Sequence, residues 1–273
     1  MRGDRHHVAQ TRSAQNSGHG LIQMASGQSR DHKTGEIISR PSPNFGPRPE
    51  GCPVDILVLH YTGMQTGKDA LERLCDPESS VSSHYLIEED GRIFQLVDED
   101  KRAWHAGLGI WQDCSDVNSH SIGIEIVNPG HEYGYRPFPE IQIKSVIDLT
   151  QDILKRHEIP ASRIIAHSDM APYRKEDPGE LFPWQQLAEH GIGLWPGCHG
   201  VAEISSGISG TAASPDEFYR LLETIGYGAA DNDEDKAKRT IAFQRHWRQN
   251  DISGQVDGEC VAIAKVLASA ITR

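Results

Sequence analysis

An α/β fold, with a mixed central sheet flanked by helices and a small all-α domain behind it, is what the chain predicts. Three observations carry that expectation. Residues 56–59 (ILVL) and 163–167 (RIIAH) hold short continuous apolar runs, the pattern of strands buried on both faces. Residues 121–128 (SIGIEIVN) alternate, with Ile122, Ile124 and Ile126 on one face and Gly123, Glu125 and Val127 on the other. Residues 140–157 follow helical spacing, with Ile143, Val146, Ile147, Thr150, Ile153 and Leu154 in one stripe. Strands interleaved with a helix indicate a mixed α/β domain.

The elements follow in chain order. Residues 1–40 are polar, rich in Gly, Ser, Arg and His, and are expected to be disordered, leaving His6, His7 and His19 outside any site. They contain no apolar stretch of secretory-signal length, which leans the expectation towards the cytoplasm. Residues 39–51 hold four prolines and should be extended. The strand at 56–59 then delivers His60. Residues 85–97 are two apolar runs around Asp90-Gly91, a hairpin signal. The helix over 140–157 ends in Lys155, Arg156 and His157, where cations suit its dipole, and Pro160 stops it. The apolar run at 163–167 ends in His167. After a small, polar stretch at 201–214, residues 214–273 read as about three helices, with an Asp257-Gly258 turn before the last. The domain boundaries expected are therefore 41–200 and 214–273.

Bulk properties narrow the function. The 273 residues carry a net charge of −12, which disfavours nucleic acid and anionic membrane surfaces. No apolar run approaches the roughly 18–20 residues of a membrane span. Five scattered cysteines, an odd number without a CxxC, form neither a disulfide framework nor a thiolate zinc finger, and read as reduced, buried thiols.

Two strands ending in histidine suggest a site. His60, His167 and Asp177 would supply the three N and O ligands of a catalytic zinc centre. On spacing alone the triple is weak, because 14 histidines offer many such sets and a strand-end histidine is commonly just a satisfied polar residue. Glu125, on the open face of its strand, suits a base that takes a proton from water. Lys175, two residues before Asp177, suits an oxyanion partner. A hydrogen-bonded sheet carboxylate and an exposed loop lysine remain the plain alternatives. Glu176 reads as solvated.

The blocks LVLHYTG, SSHYLIEEDGRIFQLVDEDKRAWHAG, NSHSIGIEIVN, AHSDMAPYRKEDPGELFPW and QQLAEHGIGLWP, in this order, resemble the zinc-dependent N-acetylmuramoyl-L-alanine amidases of the Amidase_2 type. That family shares its fold with the peptidoglycan recognition proteins. The resemblance runs from about Val54 to Pro196 and is closest to the AmiD-like branch, which pairs the amidase with a C-terminal helical module. It implies one Zn2+ on His60, His167 and Asp177, with Glu125 and Lys175 as catalytic groups. The expected reaction is hydrolysis of the amide between N-acetylmuramic acid, or its 1,6-anhydro form, and L-alanine of the stem peptide. The expected partners are muropeptides, taken by a monomer.

Among further residues, His84, His105, Trp104 and Arg174 are candidate substrate contacts. For the histidines a structural role is the alternative; Trp104 is either a sugar platform or core, and Arg174 suits a stem-peptide carboxylate. The stretch from Ile241 to Leu267 resembles small peptidoglycan-binding modules, and a helical appendage packed on the amidase is the other reading. A recognition protein that binds without cutting would be expected to have lost a ligand, and none is lost. A zinc peptidase acting on another amide would share the same metal site.

Overall fold

The computed structural model describes residues 37–204 and 214–272. The segment expected to be disordered lies outside them up to residue 36, as do His6, His7 and His19. Residues 37–39 depart from that expectation: they form strand β1 (Ile37–Ser39), paired in parallel with β5 (Ile93–Gln95). Two adjacent isoleucines suffice once a partner strand is present, which the sequence alone does not reveal.

The central sheet has six strands. Besides β1 and β5 they are β3 (Ile56–Tyr61), β4 (Tyr85–Ile87), β7 (Ser121–Ile126) and β8 (Ile164–Ala166), in the order β1-β5-β4-β7-β3-β8. All neighbours are parallel except β4 and β5, which form the expected antiparallel hairpin. Gly91 has φ +84° at its turn, a left-handed conformation suited to glycine. A second, two-stranded ribbon joins β2 (Phe45–Pro47) to β6 (Lys101–Ala103).

Two layers cover the sheet. On one face, Leu57, Leu59, Ile122, Ile124 and Ile126 pack against helix α4 (Glu140–Arg156) through Ile143, Val146, Ile147 and Ile153. The stripe read from the sequence is the one buried, save Leu154, which is only partly covered. The short helices α1 (Gly67–Cys75), α2 (Val117–His120), α3 (Gly130–Tyr133), α5 (His167–Met170) and α6 (Trp184–Glu189) complete the periphery. Thr66 caps α1 by accepting the Asp69 N–H.

The three C-terminal helices, α7 (Pro215–Ile225), α8 (Asp233–Trp247) and α9 (Gly258–Ile271), lie on the opposite face. Ile56, Val58, Ile165 and Met170 share one core with Phe218, Leu222, Phe243, Trp247 and Leu267. The expected small all-α unit is present, and it shares a core with the sheet. A strand that is apolar on both faces requires a second covering layer, and these helices are that layer. Asp257-Gly258 is not a turn: Asp257 is the N-cap of α9 and accepts the Cys260 N–H at 2.9 Å.

All five cysteines are unpaired; Cys114 and Cys260 are buried, whereas Cys52, Cys75 and Cys198 are half-exposed rather than buried. No helix among the described residues is long and apolar enough to cross a membrane.

Candidate active site

The parallel pairing of β3 and β7 places His60 opposite Glu125 and Val58 opposite Gly123. All four therefore share the sheet face turned away from α4. Strand β8, on the other side of β3, runs into α5, whose first residue is His167. The loop after α5 returns Asp177, held by the Ser168 N–H donating to its carbonyl at 3.0 Å. Three chain segments thus meet at one edge of the sheet.

His60 Nδ1, His167 Nδ1 and Asp177 Oδ2 form a triangle with sides of 2.9, 2.9 and 3.0 Å. All three residues are buried. The donor set fits a metal ion on chemical grounds. His167 Nε2–H donates to the Ala106 carbonyl at 2.9 Å, so in the neutral ring its Nδ1 lone pair faces the Asp177 carboxylate. Two acceptors at 2.9 Å repel unless a cation or a proton lies between them. Burial and the neighbouring His167 lower the His60 pKa to about 4, which keeps this imidazole neutral for ligation. Burial alone would raise the Asp177 carboxyl, but the charge and hydrogen bonds of His167 and His60 outweigh it and hold Asp177 well below the usual carboxylate range.

A further histidine backs the centre. His60 Nε2 lies 3.0 Å from His105 Nδ1, and His105 Nε2 lies 3.2 Å from Ser121 Oγ. With His60 Nδ1 turned to the ligand point, its Nε2–H donates to His105, which passes the chain to Ser121. Such partners orient a ligating ring. Asn118 Oδ1 accepts the backbone N–H groups of His105 and Ala106 and fixes their loop. Gly123 makes room for it all: a Cβ there would stand 2.5 Å from His105 Cγ.

Glu125 lines a cavity of about 140 Å³ together with Thr62, Arg73, Ser82, Trp104 and His105. Its Oε2 is buried without a partner. Burial and the charge of Asp177 push its pKa up to about 8, with Lys175 opposing them. The charge of Lys175 also opposes protonation of His60. An open groove of about 550 Å³ adjoins the cavity through Thr62, Met64 and Arg73. Another cavity, about 760 Å³, is lined by Trp195, Trp247 and Arg248 and by none of these groups.

Not every candidate contact belongs to this cavity. His84 is fully buried, accepts the Gly123 N–H on Nδ1 at 3.0 Å and donates from Nε2 to the Lys101 carbonyl at 3.1 Å. It is a sheet-locking residue and not a groove residue. His105 lines the cavity and also stands behind His60. Trp104 lines the cavity, half-exposed. Arg174 spends its donors on the carbonyls of Ala106 and Leu108, closing the loop that holds His167 Nε2 instead of reaching for substrate. Glu176 is not simply solvated: Arg245 donates to it at 2.9 Å, and His131 Nδ1 lies 3.5 Å away.

The profile of the N-acetylmuramoyl-L-alanine amidase family matches residues 50–180. Over 229 residues the chain is 38% identical to the N-acetylmuramoyl-L-alanine amidase AmiD of Escherichia coli, spanning 78% of this chain and 82% of that protein. The chain belongs to the N-acetylmuramoyl-L-alanine amidase family. The amidase fold extends to solved structures. The complex of E. coli AmiD with anhydro-N-acetylmuramic acid-L-Ala-D-γ-Glu-L-Lys superposes with a TM-score of 0.71 at 36% identity, covering 85% of this chain and 93% of that one. AmpDh3 of Pseudomonas aeruginosa in complex with anhydromuramic pentapeptide gives 0.71 at 28%, covering 90% and 99%. Residues 1–204 are about three quarters of this amidase, so coverage that high must reach into its C-terminal helices. The sequence blocks led to the three residues that converge here; the His105 contact, the Arg174 loop closure and the contacts of Asp169 were not legible in them.

Proposed function

We propose that this amidase carries one zinc ion on His60, His167 and Asp177 and cleaves the lactyl amide of N-acetylmuramyl and 1,6-anhydro-N-acetylmuramyl peptides, with Glu125 moving the proton and Lys175 facing the developing oxyanion. The carrying observation is the convergence of two imidazoles and a carboxylate on one point, with Glu125 across the strand pair from His60. Two nitrogens and one oxygen with a remaining open position suit catalytic zinc. Zinc bound there supplies Lewis acidity, polarising the amide carbonyl and acidifying water.

The chain's own groups supply the rest. Glu125, ionised, accepts the proton of the attacking water, and its partnerless Oε2 is free to do so. A raised pKa makes the carboxylate a better base than a solvated one and the acid able to return that proton to the leaving L-alanine nitrogen. Lys175 sets a positive charge against the oxygen that turns negative as the carbonyl is attacked. Trp104 lends an aromatic face to the cavity wall, suited to the apolar face of a sugar ring. Five unpaired thiols lead us to propose a cytoplasmic enzyme of muropeptide recycling, which fractionation of native cells tests.

The test follows purified protein with intact and 1,6-anhydro muropeptides by mass spectrometry. Free stem peptide should be released, the release should stop on chelation and return with zinc, and Asp177→Ala should lose zinc. Binding without release would overturn the reading.

A further inference from the structure

Helix α8 turns Arg245 and His246, and the loop that follows it turns Gln249, onto the segment that carries His167 and Asp177. His246 Nδ1–H donates to Asp169 Oδ2 at 2.6 Å. Arg245 pairs with Glu176 at 2.9 Å and with Glu180 at 3.4 Å, on either side of Asp177. Gln249 Nε2 donates to the Phe182 carbonyl at 2.7 Å. From the end of α7, the Tyr227 hydroxyl donates to Asp169 Oδ1 at 2.6 Å.

Asp169 is the hinge of this arrangement. It is wholly buried, and it is the third residue of α5, whose first is His167. Its only other donor among the described residues is the Ala166 N–H at 2.8 Å. Both side-chain donors therefore come from outside the family block at 50–180. His246 is 1% exposed and held between the rings of Trp184 and Trp247, with centroids 3.8 and 3.7 Å away. Buried carboxylates are expensive without donors. Removing these two would drive α5 to seek others and carry His167 with it, and the Ser168–Asp177 backbone bond would carry Asp177. Ligand sites tolerate only about 0.5 Å of such movement.

We propose that His246, Tyr227 and Arg245 are positioning residues of the metal centre: the C-terminal helices hold His167 and Asp177 in ligating geometry and so act in catalysis without touching substrate. The proposal rests on the metal reading of His60, His167 and Asp177.

The test uses the full chain. Tyr227→Phe and His246→Phe, singly and together, keep the buried rings and remove only the donors; Arg245→Met removes the flanking ion pair. Leu222→Ala is the stability control: this buried α7 side chain makes no hydrogen bond, and its backbone carbonyl, which accepts the Tyr227 N–H, is unchanged in the variant. Zinc dissociation constants are read by competition with a chromophoric chelator, beside Tm with and without zinc. The double variant should bind zinc about 10–100-fold more weakly, the range for groups that orient ligands. Tyr227→Phe and Arg245→Met alone should each weaken it several-fold. Leu222→Ala should lower both Tm values equally and leave the zinc constant unchanged. Zinc constants within twofold of the parent in the donor-less variants that fold, or an equal loss in Leu222→Ala, would overturn the proposal. Parent protein that binds no zinc would instead overturn the metal reading.

Discussion

Gly123→Ala tests the support behind His60 with one methyl group. The added Cβ would lie 2.5 Å from His105 Cγ, 2.6 Å from Nδ1 and 2.7 Å from Cδ2. Ordinary contact begins near 3.4 Å, so the imidazole must withdraw by roughly 1 Å. It is boxed in by the rings of His60 and His84, with centroids 5.1 and 5.6 Å away. The 3.0 Å contact between His60 Nε2 and His105 Nδ1 then opens to about 4 Å, beyond hydrogen-bonding distance. A buried N–H left unpaired costs about 1–3 kcal/mol, and loss of a ligand-orienting bond weakens metal about 10–100-fold. Urea denaturation of metal-free protein and zinc competition measure the two effects. Parent-like zinc affinity in Gly123→Ala, with stability within about 0.5 kcal/mol, would refute the role given to His105.

Three other outcomes follow from the site. Glu125→Gln should keep zinc and lose turnover by about 10²–10⁴-fold. In the metal-free protein the folded pKa of Glu125, about 8, lies above its ordinary 4.5, so the fold binds that proton more tightly and loses stability as pH rises between those values. Glu125→Gln should therefore match the parent near pH 4 and exceed it by about 2 kcal/mol at pH 9, after allowance for partial exposure; parallel urea stability curves would contradict the assignment. Lys175→Met should lower kcat about 10²–10³-fold with zinc content unchanged, whereas a fall confined to KM would move Lys175 from the oxyanion to ground-state binding.

Local pattern marked strands β3, β7 and β8, the β4–β5 hairpin and the two strand-end histidines. A period of two in residues 121–126 separates the isoleucines from Gly123 and Glu125, and the ends of two apolar runs mark His60 and His167. These are properties of a residue and its near neighbours, so they survive in one dimension. What the other polar residues do depends on which remote groups they meet, and packing alone decides that. His84 and His105 sit in equally suggestive blocks, yet one locks the sheet by bonding Gly123 while the other backs His60. Arg174 could serve a carboxylate in any loop, but here two carbonyls lie within its reach first. The C-terminal helices read as an appendage because amphipathic stripes do not name their partner. Only the folded chain shows that Val58 and Phe243 fill one core, and that the buried carboxylate of Asp169 is satisfied from 58 and 77 residues downstream.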